Sequence, residues 1–98
     1  MSNDWAFRLP LLKPDDFCAG SWASGDRRCM MGHANNPAYN LDATQRTALY
    51  LKIREIADPE FPAHQRRPVS DINDCSSDET RARIWNTAVE ACRRRGLG

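Results

Sequence analysis

The sequence predicts a small, mainly α-helical single domain. Two long segments, at about 43–57 and 77–95, carry apolar residues at helical spacing, and each is preceded by short polar residues that mark a helix start. Outside them, apolar stretches are cut short by proline, glycine and asparagine. A chain of 98 residues holds material for one core, because a domain of this size buries only about two-thirds of its unfolded surface.

From the N-terminus, Trp5, Phe7, Leu9 and Leu11 alternate with Ala6, Arg8 and Pro10, the period of a strand. Pro10 cannot donate to a ladder, so the segment is expected as an extended arm lying over the core. Pro14-Asp15-Asp16 has proline at a first helical position and carboxylates at the positive end of the dipole. The short N-terminal helix it starts leads into Phe17, Cys18 and Trp22, and is stopped by Gly20 and the Ser24-Gly25-Asp26 turn. Cys29-Met30-Met31 is apolar, but Gly32 and Asn35-Asn36-Pro37 limit it to about two turns of helix or one short strand.

Asp42-Ala43-Thr44-Gln45 is a capping-box pattern, and Leu49, Tyr50, Ile53, Ile56 and Ala57 share one face of the helix it opens. Asp58-Pro59 ends that helix. Residues 59–68 have no periodicity and carry His64 and Arg66-Arg67 among prolines, which predicts a surface loop of the long kind that often bears function. Val69 and Ile72 anchor a single turn, and Asn73-Asp74 read as polar groups serving the start of the last helix. Ser76-Ser77-Asp78-Glu79 is a second capping box, followed by an Ile84, Trp85, Ala88, Val89 and Cys92 stripe and an Arg93-Arg94-Arg95 run before Gly96. Arg46-x-x-Leu49-Tyr50 and Arg81-x-x-Ile84-Trp85 place the same residue types at the same spacing on the two long helices.

Fourteen basic and thirteen acidic residues leave a net charge of +1, so no strong field draws the chain to nucleic acid or an anionic membrane. No apolar run approaches the roughly 20 residues that span a bilayer, and Met1-Ser2-Asn3-Asp4-Trp5 lacks the pattern of a secretory signal. The expected location is the cytoplasm, where Cys18, Cys29, Cys75 and Cys92 stay reduced.

Cys29-x3-His33 has a spacing that puts both side chains on one helix face, with Cys18, Cys75 or His64 available to complete a zinc tetrahedron. No C-x2-C pair supports it, and Cys29 in the core with His33 on the surface beside a turn is the preferred reading, leaving no metal and no cofactor. Nor does the chain carry a nucleophile elbow, phosphate loop or dinucleotide fingerprint, so no catalytic residue is assigned and no enzyme is expected. The arginines interleave with Glu79 and Glu90 as i,i+4 partners of Arg83 and Arg94, and no aromatic residue stands among them to stack a base, which makes nucleic acid an unfavoured partner. Leu51, opposite the apolar stripe of its helix, and Phe61, Arg66, Arg67, Arg94 and Arg95 have the composition of a protein-binding surface.

Cys29-Met30-Met31-Gly32 after a Trp22-containing turn, and Ile72-Asn73-Asp74 before a helix with Trp85-Asn86, resemble a family of small bacterial and phage helical proteins. Its members have a C-x-x-G segment after a G-W turn and a W-N-D segment before the last helix; Ser21 and Ile72 stand here for the glycine and the first tryptophan. The resemblance covers about half of the chain and implies a small helical fold, with no activity and no site residue. The function expected is a non-enzymatic binding protein, monomer or homodimer, that occupies a surface of a larger host protein or ribonucleoprotein complex. A phage or mobile-element inhibitor of the anti-defence, anti-CRISPR type is the kind that fits. The alternative is a zinc-stabilised module built on Cys29 and His33, or a nucleic-acid-binding accessory module.

Overall fold

A computed structural model of the chain describes residues 4–57 and 69–95. Among the described residues the α-helices are α1 (Met30–Ala34), α2 (Ala43–Ala57), α3 (Val69–Asp74) and α4 (Asp78–Arg95), and a hairpin of two-residue strands, β1 (Ala23–Ser24) and β2 (Arg27–Arg28), precedes α1. The helical face of α4 supplies the centre: Ile84, Trp85, Ala88, Val89 and Cys92 are all buried. Leu49, Ile53 and Ala57 of α2 meet them, and among the described residues no other pair of elements packs as extensively. Each large apolar side chain so buried contributes about 1.5–3 kcal/mol, which is why two amphipathic stripes suffice to define the core.

The two helix starts differ in how well the sequence located them. At α2 the box closes as expected: the Gln45 N–H donates to Asp42 Oδ1 at 2.8 Å and the Asp42 N–H to Gln45 Oε1 at 3.0 Å. At α4 the capping residue is Ser77, not Ser76, for the Thr80 N–H donates to Ser77 Oγ at 3.2 Å. The Ser76 hydroxyl instead turns back and donates to the Ile72 carbonyl at 2.6 Å, satisfying an acceptor that the end of α3 leaves open. The repeated Arg-x-x-aliphatic-aromatic pattern also acquires a meaning. Arg46 Nη1 donates to the Leu41 carbonyl and Arg81 Nε to the Asn73 carbonyl, both at 2.6 Å, so each first-turn arginine ties its helix to the segment leading into it.

The N-terminal arm lies over the core, but its first part is a 3-10 turn (Asp4–Arg8) that buries Ala6 and leaves Phe7 exposed, against the strand-like alternation. Beyond it the backbone is held by side chains of α4 rather than by a neighbouring strand. Trp85 Nε1 donates to the Pro10 carbonyl at 3.0 Å, and Asn86 brackets Leu12, accepting from its N–H at 2.7 Å and donating to its C=O at 2.9 Å. Arg93 adds bonds to the Ala6 and Leu9 carbonyls. The expected short helix after Pro14 is a single 3-10 turn (Pro14–Asp16); it stops before Trp22 because Phe17 is extended and bridges Arg28. All four cysteines are free thiols, three of them buried, and no helix among the described residues is long and apolar enough to cross a membrane.

Candidate functional site

A five-residue helix cannot satisfy its own N-terminal donors, and α1 meets that need from two directions. Locally, Cys29 Sγ accepts from the Gly32 N–H at 3.3 Å. The Met30 N–H goes 43 residues along the chain to Asn73 Oδ1, at 3.0 Å. Asn73 is fully buried, and its Nδ2 donates to the Cys18 carbonyl at 2.8 Å and toward Asp74 Oδ1 at 3.3 Å. Asp74 Oδ1 in turn accepts the Gly20 N–H at 3.0 Å. One amide thus fastens α1, α3 and the 18–22 turn together. The side chains of Asn73 and Asp74 do not cap α4, as their position in the chain suggested, because they are taken up by Met30, Cys18 and Gly20; only the Asn73 carbonyl serves α4, through Arg81.

Trp22 sits on that turn under tight backbone restraint. Its carbonyl accepts the Cys29 N–H at 3.2 Å, and a Cβ on Gly32 would overlap the same carbonyl oxygen. Gly20 enters the turn at φ +79°, a region open to glycine and strained for other residues. While the backbone is clamped, Trp22 as a residue is 57% exposed. Trp22 lines a cleft of about 150 Å³ together with Gly20, Ser21, Cys29, Met31 and, from α3, Ser70, Asn73 and Asp74. Typical metabolite pockets are about 300–1,000 Å³, so this space suits a single side chain better than a free substrate.

His33 is a core residue, contrary to its expected place on the surface. Its ring packs edge-on against Phe17 at 5.1 Å and tilted against Trp85 at 5.7 Å, because α1 is pulled inward by the Met30–Asn73 bond. Nε2 lies 2.7 Å from the Asp16 carbonyl, which only accepts, so Nε2 carries the proton. Nδ1 is buried with no hydrogen-bond partner, and burial holds the imidazole below its ordinary pKa. Cys29 is occupied in capping α1, and among the described residues no group of three or more His, Cys, Asp or Glu is placed to hold a metal. The zinc reading of Cys29 and His33 is therefore without a third ligand there.

Of the residues singled out as partner-binding, Leu51 is 58% exposed on the outer face of α2, beside Ala48, Lys52 and Glu55. Arg94 is exposed on α4 and lies 3.9 Å from Glu90. Phe61, Arg66 and Arg67 lie outside the described residues, as does the side chain of Arg95. Trp22 was not among the residues that sequence reasoning singled out, although the segment that holds it reads as a turn after a short helix. Its signal was available: Trp85 belongs to an apolar period, whereas Trp22 stands in a glycine- and serine-rich stretch where nothing repeats. No protein family, curated protein or solved structure matches the chain.

Proposed function

We propose that the chain is a non-enzymatic binding protein that acts by occupying a surface of a larger protein partner, in an inhibitory or accessory role such as phages and mobile elements encode. The observation that carries this reading is Trp22, a tryptophan more than half exposed on a turn whose backbone is fixed from both sides. Exposing an aromatic ring of this size forgoes about 1.5–3 kcal/mol of burial within the fold, and a rigid aromatic anchor loses little entropy on binding. Tryptophan is among the residues most enriched where interfaces concentrate their energy. Exposed Leu51 adds a second apolar contact on α2.

Affinity purification of the tagged chain from bacterial lysate, with Trp22→Ala and Leu51→Ala variants in parallel, tests the reading. A stoichiometric protein partner captured by the parent and lost with Trp22→Ala is the expected result. No stoichiometric partner, or one captured equally by both variants, would overturn it.

A further inference from the structure

We infer that the cleft between Trp22 and Asp74 receives an arginine side chain of the protein partner, an inference that rests on the binding-protein reading above. Its lining is chemically lopsided: among the described residues it holds one carboxylate, Asp74, and no lysine, arginine or histidine. Asp78, Glu55 and Glu90 each form an ion pair within the fold, but no basic side chain among the described residues pairs with Asp74. Asp74 is nevertheless well anchored, since its Oδ1 accepts from the Gly20 N–H and from Asn73 Nδ2. It also stands at the C-terminal end of α3, where the helix dipole adds negative potential.

Three further features match a guanidinium in particular. The exposed indole of Trp22 offers a π surface to a planar cation, a contact worth about 0.5–2 kcal/mol depending on desolvation. Asp74 lines the same cleft, and with Oδ1 taken by the Gly20 and Asn73 donors its Oδ2 is left to accept a charge-assisted hydrogen bond from the cation. Met31, a soft unbranched side chain in the cleft lining, accommodates the aliphatic stem, and a volume of about 150 Å³ admits one such side chain. Little has to reorganise, because the turn carrying Trp22 and the helix carrying Asp74 are already joined through Gly20 and Asn73.

The test is an NMR titration of the ¹⁵N-labelled chain with N-acetyl-arginine methylamide and, separately, its neutral citrulline counterpart. Trp22→Phe identifies the Trp22 indole resonance among those of the three tryptophans. A saturable shift of that resonance and of the Gly20 amide is expected with the arginine probe, with affinity about tenfold weaker for citrulline. Asp74→Asn keeps an oxygen for the Gly20 and Asn73 donors while removing the charge, so it should fold normally and abolish the preference for arginine. Equal affinity for the two probes, or no saturable Trp22 shift in the folded parent, would overturn the inference. Capture of a partner through Trp22 without any response to the arginine probe would sink the arginine site and leave the binding surface standing. Arginine binding with no partner captured would sink the binding-protein reading alone.

Discussion

Replacing Asn73 with alanine is the sharpest probe of this architecture, because one side chain bridges three segments. The substitution leaves the Met30 N–H without its acceptor and the Cys18 carbonyl without its donor, both at a position with no solvent exposure. A buried polar group stripped of its partner costs about 1–3 kcal/mol, so the two together cost about 2–6 kcal/mol. Domains of this size have about 5–15 kcal/mol in total, and each kcal/mol corresponds to about 4–8 °C in Tm, so a fall of at least about 8 °C is expected. Asn73→Asp should be no better: it keeps the acceptor for Met30 but sets a carboxylate against the Cys18 carbonyl and beside Asp74. Urea unfolding followed by circular dichroism measures the loss, with the m-value showing whether cooperativity persists. An Asn73→Ala variant within about 0.5 kcal/mol of the parent, the range of ordinary surface changes, would refute the reasoning.

Gly32→Ala places a methyl group against the Trp22 carbonyl, which is backbone and cannot rotate aside; a loss of about 1–3 kcal/mol is expected, with perturbed amide resonances across the 20–29 turn in the NMR spectrum. Asn86→Ala should loosen the chain around Leu12 while leaving the α2–α4 core intact, seen as faster hydrogen exchange at Leu12 with unchanged protection in α4. His33 gives the chain an acid sensitivity. Its folded pKa is lowered by burial, outweighing the Asp16 carbonyl that raises it, so below about pH 6.5 the unfolded chain takes up the proton first. Stability from this group is full above the unfolded value and is lost as pH falls through the folded one. His33→Leu should flatten the dependence of unfolding free energy on pH in that window, and an unchanged slope would show that other groups set it.

Much of the helical frame is legible in the chain because it rests on local chemistry. The period of Leu49, Tyr50 and Ile53, the Asp42–Gln45 box and the stripe from Ile84 to Cys92 each declare a helix and its buried face without reference to anything distant. Where two local patterns overlapped, the reading slipped: Ser76 and Ser77 are equally good caps by type, and only the nearby end of α3, with an open carbonyl at Ile72, decides which of them caps α4. The site was legible only in fragments. Trp22, Cys29-x-x-Gly32 and Asn73-Asp74 each stand out by residue type, but the relation between them is a set of bonds spanning up to 55 residues.

By itself, then, the sequence determined the class of the fold, the two long helices and the faces they bury, because helix period and capping are properties of neighbours within four residues. Tertiary structure alone decided that His33 is inside, that Asn73 caps a helix 43 residues away, and that an exposed tryptophan and the Asp74 carboxylate line one cleft. Those outcomes turn on how buried polar groups find partners once the helices have packed. Partner choice among Met30, Cys18 and Gly20 depends on distances that no local pattern encodes.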